Sequence, residues 1–171
     1  MLIYFGLGSN LGDKLENLRA AVEKLKTLGE IKRASSVYET EPWGGVEQPD
    51  YLNACVLIEC TNENITPLEI LRAVKSFEVE LGRVPSIRWG ERKIDIDILL
   101  IDDVIYKSPE LNIPHISIPD RLFVLVPLEE ILPTEWRHPE NHKSIQAMIN
   151  DIIKDNGALP IKISQKLING L

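Results

Sequence analysis

A chain of 171 residues, 44% apolar and 26% charged, is long enough to bury a sizeable core and has the make-up of a folded domain rather than a disordered one. The formal net charge of −7 argues against a general nucleic-acid binder, which needs a basic face. No apolar run reaches a membrane span and no basic-then-apolar leader opens the chain, so the expectation is one domain, 1–171, in the cytoplasm and off the membrane. Residues 134–171 form an extension to it.

Leu2–Gly8 reads as a first strand. Ser9-Asn10-Leu11-Gly12-Asp13 is a turn of residues that bond locally to backbone or tolerate positive φ. Leu15, Leu18, Ala21, Val22, Leu25 and Leu28 recur at helical spacing, with Gly29 as the stop. Ile31–Thr40 is expected as one strand, followed by a long loop at Glu41–Asp50 and a third strand at Tyr51–Cys60. Cys55 and Cys60 are odd-spaced, so they face opposite sides and read as small buried hydrophobes. Thr66 caps a second helix, with Pro67 at its first position and Glu69 completing a capping box. Gly82 closes that helix, and a strand follows at Lys93–Ile101. Beyond it the pattern predicts a short strand near Val104–Tyr106, a helix from an Asp120 cap to Leu132, another near Ser144–Lys154, and a strand or tail at Leu159–Ser164. The order β-α-β-β-α-β predicts a ferredoxin-like α+β fold with helices on one face of an antiparallel sheet.

The chemistry concentrates between Arg83 and Ile98. Residues 83–93 hold four cations (Arg83, Arg88, Arg92, Lys93) against one anion, Glu91. A positive island on an acidic protein points to one particular anionic ligand. Asp95 and Asp97 follow, two apart, and so share one face of a strand while Ile94, Ile96 and Ile98 take the other. Paired carboxylates suit Mg²⁺, and guanidinium forks suit phosphate. The same alternation also suits the wet face of a half-exposed sheet. Neither the Walker pattern nor the dinucleotide fingerprint occurs, since Gly6-x-Gly8-x-x-x-Gly12 has the wrong spacing. His138 and His142 lie four apart, but no third metal ligand accompanies them.

Several separated motifs resemble those of the hydroxymethyldihydropterin pyrophosphokinases, folate-pathway enzymes that move a pyrophosphate from ATP to a pterin alcohol. They are Gly8-Ser9-Asn10-Leu11-Gly12; Tyr38-Glu39-Thr40-Glu41-Pro42-Trp43-Gly44; Gln48-Pro49-Asp50-Tyr51-Leu52-Asn53; Glu78 with Leu81-Gly82-Arg83; Arg88-Trp89-Gly90-Glu91-Arg92-Lys93-Ile94-Asp95-Ile96-Asp97-Ile98-Leu99; and Pro114-His115 with Arg121 and Phe123. Together they span most of residues 4–133.

The resemblance implies roles residue by residue. Asp95 and Asp97 would hold two Mg²⁺ ions, with Asp97 a candidate proton acceptor. Arg83 and Arg92 would stabilise charge on the transferring group. Glu78, Arg88, Ile98, His115 and Arg121 join them around ATP, the co-substrate, with Glu78 supporting the arginines or the adenosine end. Thr40, Pro42, Trp43, Tyr51, Asn53, Trp89 and Phe123 would hold the pterin, Tyr51 and Phe123 as a stacking pair and Asn53 as an edge reader. Arg83–Lys93 would close over nucleotide, pivoting near Gly90. Other folate-pathway enzymes are candidate partners. Lys75, Pro85, Glu91, Glu110 and Ile116 depart from the common family pattern. A ferredoxin-like RNA reader is disfavoured by the acidic charge and by the absence of an aromatic-rich strand. A small-molecule sensor on this fold would not need the two aspartates beside arginines.

Overall fold

A computed structural model describes residues 1–42, 48–62, 64–84, 91–155, 159–163 and 165–168. The main sheet is antiparallel. Its strands are β1 (Leu2–Ser9), β2 (Gly29–Ala34), β3 (Tyr38–Thr40), β4 (Tyr51–Cys60), β5 (Asp95–Ile101) and β8 (Ile161–Lys162). They run in the order β5-β1-β4-β3-β8, with β2 also on β4. A small ribbon pairs β6 (Tyr106–Lys107) with β7 (Asn112–Ile113). The helices are α1 (Lys14–Leu25), α2 (Pro67–Glu80), α3 (Leu122–Glu129) and α4 (Ile145–Lys154). The β-α-β-β-α-β core is ferredoxin-like, with its second strand broken in two. None of the helices is long and apolar enough to cross a membrane.

The helix starts follow from local chemistry. Asp13 accepts the Glu16 N–H to cap α1, and Thr66 and Glu69 form the anticipated capping box on α2. Gly82, at φ 86°, provides the left-handed residue after α2. Gly29 differs from expectation. The helix stops at Leu25, and Gly29 opens β2 opposite Cys60. A Cβ there would lie 2.1 Å from the Glu59 carbonyl oxygen, so close backbone approach explains the glycine.

The single strand expected over Ile31–Thr40 is interrupted at Ser35–Val37. Ala34 pairs with Val56 and Tyr38 with Asn53, so four steps on one side meet three on the other. Ser35 absorbs the extra residue: its hydroxyl accepts the Cys55 N–H and donates to the Ser36 carbonyl. Further on, α3 begins at Leu122, after a 3-10 turn at Ile118–Asp120, and has no side-chain cap. Asp120 therefore belongs to the turn, and the helix ends three residues before Leu132.

Helices cover both faces of the sheet rather than one. Below it, α1 and α2 enclose Ile3, Phe5, Leu7, Ile94, Ile96 and Ile98. Above it, α3 and α4 cover Tyr4, Cys55, Leu57 and Leu99. Cys60 joins the lower core and Cys55 the upper, both as free thiols, as their odd spacing requires.

Candidate active site

Residues directly opposite in an antiparallel pair share a face. Gly8 sits opposite both Asn53 and Asp95, and Gly6 opposite both Cys55 and Asp97. Thr40 lies opposite Tyr51. The upper face therefore carries two carboxylates on β5, two glycines on β1 and an amide, an aromatic ring and a hydroxyl on β4 and β3. The glycines place no side chain on the floor, and a cleft opens between the polar groups on either side. Tyr51, Asn53, Thr40, Gln48, Arg92, Asp95, Asp97, Arg121 and Phe123 are among its lining residues. Beyond Gly6 and Cys55 the same face becomes Tyr4, Leu57 and Leu99, and α3 closes over it.

The acidic side is a chain of alternating charge. Arg92 Nη1 donates to Asp95 Oδ2 at 2.6 Å, and Arg83 Nη1 donates to Asp95 Oδ1 at 2.7 Å. Arg83 also pairs with Glu78 at 2.5 Å. Glu78 is only 2% exposed, and its carboxylate accepts the Ile96 N–H and the Lys75 ammonium as well. Its side chain therefore anchors arginine and strand from within rather than lining the cleft. Burial raises the Glu78 carboxyl, against the pull of Lys75. Burial also works against ionising Asp95, but Arg92 and Arg83 outweigh it and hold that carboxyl below its ordinary range. Asp97 behaves oppositely. Burial first, and the Asp95 charge second, push its carboxyl up to about 6.

A divalent cation fits this donor set. Asp97 is a carboxylate that burial and a like charge keep reluctant to ionise, and a nearby cation relieves both penalties. Among the described residues, no third His, Cys, Asp or Glu joins the two aspartates. Mg²⁺ is a cation that takes one or two carboxylates and leaves its other positions to phosphate and water.

On the opposite side, Asn53 Nδ2 donates to Thr40 Oγ1 at 2.6 Å, which fixes the amide's orientation. A Cβ on Gly8 would meet Asn53 Oδ1 at 3.1 Å, so the glycine makes room for that oxygen. The Arg121 guanidinium lies 5.6 Å from the Phe123 ring centroid, a cation–π distance. His115 docks on β5 by donating its backbone N–H to the Leu99 carbonyl. Its Nδ1 accepts the Ser117 N–H. Burial, then the Arg121 charge, depress its pKa, so the ring is neutral at pH 7.

Other expected residues fall elsewhere. The Ile98 side chain is 2% exposed and packs in the lower core, so it offers no side-chain contact in the cleft. Pro42 lines a neighbouring hollow with Leu122, Leu159 and Ile161 rather than the cleft itself. Trp43, Arg88 and Trp89, and the Gly90 pivot, lie outside the described residues. The sequence reading did not mark Gly6 and Gly8 as a floor. Two glycines in alternation inside a strand were the available signal.

Fold and cleft together define a class: a ferredoxin-like α+β domain whose sheet carries a carboxylate–arginine cluster beside an aromatic, amide-lined pocket. Residues 4–133 match the family model for 7,8-dihydro-6-hydroxymethylpterin-pyrophosphokinase (HPPK), and the chain belongs to that family. The 2-amino-4-hydroxy-6-hydroxymethyldihydropteridine pyrophosphokinase of Aquifex aeolicus is 40% identical over 144 residues, covering 84% of this chain and 88% of that protein. Folic acid synthesis protein fol1 of Schizosaccharomyces pombe is 37% identical across 99% of this chain, which spans 23% of that protein's length. The crystal structure of wild-type Plasmodium falciparum HPPK-DHPS superposes with a TM-score of 0.69 at 16% identity, over 90% of this chain and 45% of that one. At that identity the likeness speaks for the fold.

Proposed function

We propose that this chain transfers the terminal diphosphate of ATP to the hydroxymethyl group of 6-hydroxymethyl-7,8-dihydropterin, a step of folate biosynthesis that yields the pterin diphosphate and AMP. One observation carries the reading beyond family membership. The strand register sets a carboxylate–arginine cluster and an aromatic–amide pocket on one sheet face, separated only by the Gly6–Gly8 floor.

Each side suits one substrate. A flat heterocycle with a polar edge needs apolar faces and mixed donors and acceptors; Tyr51, Phe123 and the oriented Asn53 supply them. The polyphosphate calls for cations, and Arg92 and Arg121 line that part of the cleft, with Arg83 behind Asp95. Neutral His115 adds a donor without further charge. In the reaction, the pterin hydroxyl oxygen bonds to the β-phosphorus, and the bond from that phosphorus to the oxygen bridging to the α-phosphorus breaks. AMP leaves with the bridging oxygen. Asp97, on the same sheet face as Asp95, is the candidate acceptor of the hydroxyl proton. Arg83 and Arg92 stabilise the charge that builds on the transferring group.

Asp95 and Asp97 are the residues that would hold Mg²⁺. Bound there, the cation neutralises phosphate oxygens and makes the hydroxyl more acidic. A cytoplasmic setting suits these water-soluble substrates. The test is direct. Purified protein, ATP, Mg²⁺ and the pterin alcohol should yield AMP and pterin diphosphate in equal amounts, and release of ADP in place of AMP would refute the assignment.

A further inference from the structure

Gly8-Ser9-Asn10-Leu11-Gly12 follows β1 where many nucleotide enzymes keep a phosphate cradle, yet it matches no cradle pattern. Its polar side chains turn inward. Ser9 is fully buried and Asn10 is 2% exposed. The Ser9 hydroxyl donates to the Lys93 carbonyl at 2.6 Å. Asn17 on α1 pins the turn, donating to Ser9 Oγ and to the Leu11 carbonyl. Asn10 makes the most contacts. Its backbone N–H donates to the Arg92 carbonyl at 3.1 Å. Its Oδ1 accepts the Arg92 N–H at 2.7 Å. Its Nδ2 donates to Gln48 Oε1 at 3.0 Å and to the Pro49 carbonyl at 3.2 Å.

Those partners belong to different walls of the cleft. Gln48 lines it where the chain leads into β4 and the aromatic pocket, while Arg92 lines it among the acids and reaches Asp95. A single buried amide joins the two walls. Only an amide of this length offers one acceptor for the Arg92 N–H and two donors for the oxygens of Gln48 and Pro49. Aspartate would face two acceptors with no proton to give, and alanine would leave the Arg92 N–H and the Pro49 carbonyl unpaired.

We propose that Asn10 is a positioning residue that couples the two substrate subsites, tying the backbone of Arg92 to the segment that enters β4. This rests on the ATP-and-pterin reading above. A ligand that draws Arg92 toward phosphate also sets the Gln48–Pro49 wall, and a ligand in the aromatic pocket sets Arg92. Because coupling is reciprocal, each ligand tightens the other by the same factor.

The experiment is a thermodynamic cycle on the full chain, by calorimetric titration. The probes are α,β-methylene-ATP with Mg²⁺ and the pterin alcohol, each titrated alone and in the presence of the other. The ratio of the two pterin Kd values is the coupling factor. A general loosening of either subsite cancels from it, which separates positioning from a merely structural role. The native factor is expected at about tenfold or more. Asn10→Asp keeps the acceptor and loses both donors, and should bring the factor close to 1. Should that buried variant fail to fold, Gln48→Leu removes one partner and leaves Asn10 intact; the factor should then fall about two- to threefold. A native factor of 1, or an undiminished factor in the folded variant, overturns the coupling. A protein that binds neither probe overturns the functional reading, and this proposal with it.

Discussion

One face of the sheet has two halves that follow each other along the same strands. Asp97 is followed by Leu99 on β5, Asn53 by Cys55 and then Leu57 on β4, and Gly6 by Tyr4 on β1. Toward one end the face carries acids, an amide and bare glycine, and it stays open as the cleft. Toward the other it carries Tyr4, Leu57 and Leu99, and α3 and α4 seal it. The β1–β5 register is regular in the open half and shifts at Tyr4/Phe5 in the sealed one, so pairing and side-chain chemistry change together. Stability should reside in the sealed half and chemistry in the open one, where charge is held at some cost to stability.

Asp97→Ala is the strongest way to probe that division. Turnover, read as AMP formation, should fall about a hundred- to a thousandfold, the several kcal/mol that a metal ligand and proton acceptor supply together. The melting temperature should hold or rise. Near-native turnover in the folded variant would remove Asp97 from the chemistry. Leu128→Ala, in the fully buried contact beneath α3, is the mirror experiment. It should cost about 2–5 kcal/mol in denaturant melts while kcat per folded molecule stays close to native.

Asp97→Asn sharpens the comparison through pH. The folded-state pKa of about 6 lies above the ordinary aspartate value of 3.8. Between those values the folded chain keeps a proton that the unfolded chain has lost. Native stability should therefore decline as pH rises from about 4 to 6 and stay reduced above it. The asparagine variant lacks that slope, so in metal-free buffer it should be the more stable protein at pH 7.5, by up to about 3 kcal/mol. Equal pH profiles for variant and native protein would contradict the assignment.

The glycine floor gives the two smallest effects. Gly8→Ala places a Cβ 3.1 Å from Asn53 Oδ1. It should weaken pterin binding about five- to tenfold, seen by titration, since the displaced amide loses about one hydrogen bond. Gly6→Ala meets only Leu99 methyl groups, at 3.4 Å, an ordinary contact. It should change binding less than about twofold, and a larger loss would mean that substrate itself occupies the space above Gly6.

The sequence by itself determined what depends on near neighbours. Strand alternation put Asp95 and Asp97 on one face and Ile94 and Ile96 on the other, because successive Cβ atoms of a strand point to opposite sides. Thr66, Pro67 and Glu69 marked the start of α2, because capping is settled within four residues. The run of motifs from Gly8 to Phe123 pointed to the family through residue identity and spacing alone. Tertiary structure alone decided what depends on register and cover. Glycine alternation in β1 became a cleft floor only when Asp95 and Asn53 fell on either side of Gly8. The resemblance put Glu78 near the nucleotide in support of the arginines or the adenosine end; packing of α2 beneath β5 decided that it holds Arg83, and the Ile96 N–H with it. Ile98 shared a signature with the aspartates but points to the opposite layer. The break at Ser35–Val37, Gly29 against the Glu59 carbonyl and the joint at Asn10 all arise where segments distant in sequence meet. No local period records such a meeting, since the partner's position is set by packing of the whole sheet.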